Sequence, residues 1–251
     1  MNKIEAMKIA GQINKNAINL GIEILQKRAN LLDVDQVIGN YISVMGGIPA
    51  FKGYINYPAN SCLSVNDEVV HSIPKDYIPQ DNDIITIDLG TKYNGFCVDS
   101  AKTTVIGART SANAERIELS HVCQSILRAA IQIIRPGISL FEIAEQCDIV
   151  ADSYKVYINN EFGGHGIGTS VHENPIILHT TKEISIAQLD WMKSTKLYEG
   201  QTICIEPIIT KNKTETYMSE DGFTIKTKDG SYAAHFEDTI LVTKQCGEIL
   251  T

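Results

Sequence analysis

The sequence predicts an α/β fold built from two related halves, with mainly antiparallel strands covered by helices. Three observations carry this reading. An order of two helices followed by acid-bearing strands occurs twice, the first two strands are joined by a tight turn at Asn94-Gly95, and a glycine-framed histidine stretch lies in the second half. One catalytic domain over residues 1–251 is expected, because no linker or low-complexity run divides the chain.

With 251 residues, 43% hydrophobic and 21% charged, the chain can bury a sizeable core and has the make-up of a soluble protein. No apolar run approaches the roughly 20 residues that cross a bilayer, and Met1-Asn-Lys-Ile-Glu5 lacks the start of a signal peptide. A cytoplasmic protein without a membrane partner is expected. A formal charge of −8 excludes duplex nucleic acid as a natural ligand, since phosphate neutralisation needs an excess of Lys and Arg. The six cysteines (Cys62, Cys97, Cys123, Cys147, Cys204 and Cys246) form no C-x-x-C pair and read as reduced thiols.

Met7, Ala10, Ile13, Ala17, Leu20 and Ile24 recur at helical spacing, which predicts a first helix from about Ile4 to about Lys27. Asp33 with Gln36 has the capping-box pattern, and Val37, Tyr41 and Val44 continue one face of a second helix until Gly46-Gly47. Residues 48–62 are irregular and aromatic, either a binding wall or a packed cover. Asp83 to Leu89 alternates as a strand with Thr86 and Asp88 on one face, and a second strand runs from Phe96 to Val105. If Asn94-Gly95 is the turn, Tyr93 faces Phe96 and Gly90 faces Asp99. Asp88 and Asp99 are then diagonal neighbours whose carboxylates can meet. Such a pair is either wetted or neutralised by something positive, because two bare carboxylates repel and are costly to desolvate.

In the second half, Leu119, Val122, Ile126, Ala129 and Ile133 form a helical stripe that ends before Pro136-Gly137. Ser139 and Glu142 make a capping box for a helix carrying Leu140, Ile143, Cys147, Val150 and Tyr154. The stretch from Glu161 to Pro175 then sets His165 and His172 among four glycines, which permit positive φ or close approach. A strand from Gln201 to Glu206 groups Thr202, Cys204 and Glu206. A last strand from Ala234 to Val242 groups His235, Glu237 and Thr239.

Asp88, Asp99, His165, Glu206 and Glu237 together make four carboxylates and one imidazole. Carboxylates bridge, so this set suits two divalent first-row ions roughly 3.5–4 Å apart, as in two-metal hydrolases. Ions of this kind lower the pKa of a shared water and polarise a scissile carbonyl, and Glu206 is the candidate base. His71 and His172 remain either structural or available to hydrogen-bond a substrate carbonyl or a tetrahedral intermediate.

Five motifs resemble those of the type I methionine aminopeptidases. They are Ser64 to Pro74 with His71, Ile87-Asp88-Leu-Gly90 through Asp99, Gly164-His165 through His172 to Pro175, Thr202 to Pro207 with Glu206, and Phe236-Glu237-Asp-Thr. The resemblance runs from the first helix to the C-terminus. It implies the pita-bread fold of the creatinases and aminopeptidases, with pseudo-two-fold halves and a curved, mainly antiparallel sheet. It also implies two divalent ions (Co, Mn, Fe or Zn) and removal of the initiator methionine from nascent chains whose second residue is small. Under it His71 contacts the substrate near the scissile amide, His172 stabilises the tetrahedral intermediate, and Phe51, Tyr54, Tyr57, Cys62, Val171 and Phe223 form the methionine pocket. Ribosome contact follows from the family's task, and a monomer is expected.

The chain departs from the pattern at Ser72, where glycine usually follows the histidine, and at Phe223, where some members carry tryptophan. The 34-residue interval from His172 to Glu206 is longer than usual and contains Trp191, read as a surface anchor of the extra segment. Two rivals share the scaffold: an Xaa-Pro peptidase, which usually carries a further N-terminal domain, and a binding protein that has lost catalysis and its metal ligands. A closed structural metal site is disfavoured by the carboxylate-rich set.

Overall fold

The computed structural model describes residues 1–251. Five α-helices pack outside four antiparallel sheets: α1 (Lys3–Gln26), α2 (Leu31–Val44), α3 (Ala114–Gln132), α4 (Leu140–Tyr154) and α5 (Ile186–Ser194). None is long and apolar enough to cross a membrane.

Asn2 caps α1 in a reciprocal capping box with Glu5. Along α1 the buried face begins at Met7, Ala10 and Ile13 as expected, then turns to Ile18, Gly21 and Leu25, leaving Leu20 and Ile24 half-buried. This drift follows from 3.6 residues per turn, which a strict three-and-four spacing does not match over the 24 residues of α1. In α2 the expected cap and face both shift. Asn30 is the N-cap, Asp33 lies in the first turn, and Leu31, Val34, Ile38 and Ile42 point inward while Val44 is 84% exposed. Both stripes of α2 are apolar, and packing against the hairpin selects between them. Ser139 and Glu142 form the expected box at α4.

The hairpin has the predicted register. Ile84–Tyr93 pairs with Phe96–Val105, with Tyr93 opposite Phe96 and Gly90 opposite Asp99. Ile48–Pro49 and Cys62–Val65 pair along the other edge of Ile84–Tyr93. α1 and α2 close a core over this sheet with Ile85, Ile87 and Leu89. α3 and α4 close a larger core over the second half, with Ile203, Ile205, Ile209 and Ile240. The five-stranded sheet there orders Gly247–Ile249, Asp238–Val242, Thr202–Ile205, Gly164–Gly166 and Glu173–Ile177.

The expected continuous strand from Ala234 to Val242 is divided. Ala233–His235 pairs with Ile208–Thr210 in one sheet, and Asp238–Val242 pairs with Thr202–Ile205 in another. Glu237 sits at the division and makes an antiparallel bridge to Ala101 of the first half, with Glu237 N–H donating to Ala101 O at 2.9 Å and Ala101 N–H donating to Glu237 O at 3.2 Å. This bridge joins the halves.

The glycines of the histidine stretch serve close approach alone. None of Gly163, Gly164, Gly166 and Gly168 has positive φ; a Cβ on Gly164 would lie 2.1 Å from Cys204 O, and one on Gly166 2.2 Å from Asn174 O. The stretch also contains short strand segments, at Gly164–Gly166 and Glu173–Ile177. All six cysteines are free. Trp191 lies on α5, 40% exposed, above a buried Met192. Gly164→Ala should lower the unfolding free energy by about 2 kcal/mol or more, because the clash is with backbone that cannot rotate away. A urea midpoint equal to that of the parent protein would contradict this packing.

Candidate metal centre

The hairpin sends Asp88 and Asp99 to the face turned toward the second half, where they meet Glu237. One carboxylate oxygen from each lies within 4.8 Å of the other two. Two further groups share Glu237 at the same spacing: His165 with Cys204, and Glu206 with His235. The five residues expected as ligands are thus gathered from the hairpin and three distant segments.

Glu206 follows the end of its strand, and its carboxylate lies between two imidazoles, 3.5 Å from His165 Nε2 and 3.6 Å from His235 Nε2. The tautomer of His165 is dictated by its neighbour. Its Nδ1 is 2.9 Å from Gly166 O, which can only accept, so the ring proton sits on Nδ1 and the Nε2 lone pair faces the carboxylates. Behind Glu206 lies His179, 1% exposed, whose Nε2 accepts the Glu206 N–H at 3.1 Å. Sequence reading did not single out His179, since it sits in no motif. His235 was placed on the right strand face without a role, and Cys204 likewise; their shared feature, proximity to Glu237, exists only in the folded chain.

The electrostatics follow from burial. Asp88, Asp99, Glu206 and Glu237 all have their carboxyl pKa raised, first by desolvation; mutual repulsion adds to the rise for Asp99, Glu206 and Glu237. His165 is pushed down to about 4 and His179 to about 3, again chiefly by desolvation, so both are neutral bases at pH 7. Asp88 Oδ1, Asp99 Oδ1, Glu237 Oε1 and His235 Nε2 are buried without any hydrogen-bond partner. Orphaned oxygens converging with a neutral imidazole nitrogen are the donor set that a divalent first-row cation satisfies, and that nothing else in the protein does.

A cavity of about 420 Å³ opens over this cluster. Its walls include Phe51, Tyr54, Tyr57, Cys62 and Phe223 together with His71 and His172, and Met218 and Ile225 complete the apolar side. Val171 does not line it. That side chain is 3% exposed and packs in a core cluster with Ile167 and Cys204, so the expectation for Val171 is corrected: its neighbour His172 turns to the cavity instead. His172 stacks edge-on to His165 at 4.3 Å between centroids, with Nδ1 3.1 Å from the Tyr54 hydroxyl. His71 holds φ at 59°, a left-handed conformation that costs energy for a residue with a Cβ, and packs against Phe162. The next residue, Ser72, is 1% exposed and its hydroxyl has no partner.

Comparison with known proteins agrees with this construction. The profile of metallopeptidase family M24 matches residues 5–244, and the chain belongs to that family. A curated methionine aminopeptidase of Mycoplasma capricolum is 34% identical over 249 residues, covering 99% of this chain and 95% of that one. The crystal structure of a Thermotoga maritima methionine aminopeptidase superposes with a TM-score of 0.87 at 33% identity, over 99% of this chain and 96% of that one. A prolidase from Pyrococcus furiosus shares the fold at a TM-score of 0.73 and 22% identity, with 63% of its own length covered. The pita-bread architecture expected from the motifs is therefore the observed one.

A divalent cation and raised carboxyl pKa values together fix a pH response. Above about pH 7.5 an ordinary histidine is mostly neutral in the folded and the unfolded chain alike, so the carboxyls decide the slope: their raised pKa values make the folded state hold protons to higher pH than the unfolded chain does. As these protons leave, stability of the chelated protein falls with rising pH. Thermal midpoints of chelated and Mn(II)-saturated protein should diverge from about pH 7.5 upward. Parallel curves would contradict the assignment.

Proposed function

We propose that this chain removes N-terminal methionine from peptides with a small second residue, using two divalent ions held by Asp88, Asp99, His165, Glu206 and Glu237. The observation that carries the proposal is one cavity of about 420 Å³ in which an apolar aromatic wall meets the carboxylate cluster. Full-length similarity to methionine aminopeptidases supports it. Three candidate ligand groups share Glu237, and together they would supply enough donors for two divalent ions. The oxygen-rich set accepts Co, Mn, Fe or Zn.

When bound, such ions supply Lewis-acid polarisation of the scissile carbonyl and a more acidic water. The protein supplies position and proton transfer. Tyr57 meets Phe223 edge-on at 5.4 Å and Phe51 at 6.5 Å, a wall suited to a thioether, with sulfur–aromatic contacts contributing up to about 1.5 kcal/mol. With the Tyr54 hydroxyl donating to His172 Nδ1, the His172 ring proton sits on Nε2 and donates to the carbonyl oxygen as negative charge develops there. His71 lines the same cavity, where it would contact the substrate near the scissile amide. Glu206, flanked by His165 and His235, accepts the proton of the attacking water and returns it to the leaving amine.

Because ligands span residues 88 to 237 and α1 packs beneath the hairpin, the catalytic unit is taken as residues 1–251. Its proposed setting is the cytoplasm, where the protein acts as a monomer on nascent chains at the ribosome.

Turnover of Met-Ala-Ser, with little of Met-Leu-Ser and none of Xaa-Pro peptides, is expected with Co, Mn or Fe(II). Cleavage of Xaa-Pro peptides alone would replace this reading with a prolidase. Asp99→Ala should abolish turnover and lower metal content, and full metal content in that variant would contradict its role as a ligand. His172→Ala should keep its metal yet lose about 100-fold in kcat; an unchanged kcat would remove His172 from the reaction.

A further inference from the structure

The junction between the halves contains a pair of threonines related like the halves themselves. Two residues to one side of the Ala101–Glu237 bridge, the Thr239 hydroxyl accepts the N–H of Asp99 at 2.8 Å and donates to the carbonyl of Asp99 at 2.8 Å. Two residues to the other side, the Thr103 hydroxyl accepts the N–H of His235 at 2.9 Å and donates to its carbonyl at 2.7 Å. In each case one side-chain hydroxyl replaces a whole backbone rung between strands that are too far apart to pair directly.

Thr239 is 0% exposed, and Asp99 is 3% exposed. The hydroxyl satisfies both backbone polar groups of Asp99 at once, and Cys204 Sγ lies 3.6 Å from the same oxygen. Asp99 stands opposite Gly90 in the hairpin, and its N–H and carbonyl both turn to the Thr239 hydroxyl of the other half. Asp99 Oδ1, by contrast, has no partner at all. One carboxylate oxygen of Asp99 is therefore left open toward the cluster, and its backbone is fixed from the opposite half.

We propose that Thr239 is a positioning residue for metal binding: its hydroxyl sets the Asp99 backbone in the register that turns the Asp99 carboxylate toward Glu237. The inference rests on Asp99 being a ligand, as proposed above. It explains why a threonine stands on the strand that follows Glu237, at the position facing the hairpin. A valine there has the same shape and leaves two buried backbone groups without partners, which a folded chain relieves by shifting. Partners outside the ligand set that orient a ligand typically govern metal affinity by 10–100-fold.

The test is Mn(II) binding to metal-free protein by calorimetry, beside the thermal midpoint of the same sample. Thr239→Val is expected to weaken Mn(II) binding at least about tenfold, and Thr239→Ser to restore it. Thr227→Val is the control: Thr227 is 2% exposed and donates to Ser231 O at 2.9 Å, away from any ligand, so it should lose thermal stability but keep the affinity. Parent-like Mn(II) affinity in Thr239→Val, with only a lowered midpoint, would overturn the proposal. Should Thr239→Val not fold, Thr239→Ala and Thr239→Ser differ by the hydroxyl alone, and equal affinities in that pair overturn it as well. Loss of Mn(II) binding in Asp99→Ala separates this question from whether Asp99 is a ligand at all.

Discussion

Four carboxylates are buried against one another, and the molecule is arranged so that only a cation can reconcile them. Hydrogen-bond donors are withheld from Asp88 Oδ1, Asp99 Oδ1 and Glu237 Oε1, and the imidazoles beside them are neutral. Each of these choices raises the cost of the metal-free state and thereby the selectivity for a divalent ion. The fold tolerates the cost because two apolar cores, one under each helix pair, carry the stability elsewhere.

Carboxylates from both halves come together where the hairpin and the last strands meet through a single bridge, while Glu68–Val70 and Ile225–Thr227 pair the halves at a separate place. Beside the cluster the Ala101–Glu237 bridge pairs the two halves, and the Thr103 and Thr239 hydroxyls extend it by one step on either side. The division of the last strand at Phe236–Glu237 has the same origin. Ala233–His235 and Asp238–Val242 serve different sheets, and the residue between them faces the other half. Glycine at positions 164 and 166 lets the histidine strand lie against Cys204 and Asn174 closely enough for His165 to reach the cluster. A cavity with an apolar wall then lies over the ions, which is the arrangement needed to hold an uncharged side chain while its backbone is hydrolysed.

Much of this was legible in the sequence where local chemistry decides the outcome. Asn94-Gly95 fixed the hairpin register and with it the meeting of Asp88 and Asp99, and Ser139 with Glu142 fixed the start of α4. Motif resemblance supplied the set of five residues that the structure gathers. What stayed hidden was decided by tertiary contact. α2 has two apolar stripes, and only packing shows that Val34, Ile38 and Ile42 face inward rather than Val37 and Val44. The breaking of the last strand depends on where the other half sits. His179 behind Glu206 belongs to no motif, and Val171 lies in the core while its neighbour His172 lines the cavity. The glycines of the histidine stretch could equally have supplied positive φ, and the choice of close approach is visible only against Cys204 and Asn174.

The central claim is that the carboxylate cluster is a cation site. The most direct measurement is the anomalous scattering of a crystal soaked in Mn(II). Strong peaks between Asp88, Asp99 and Glu237, and between Glu237, Glu206 and His165, are the predicted result. A map without anomalous density there, with the four carboxyls paired to one another through shared protons, would contradict the account.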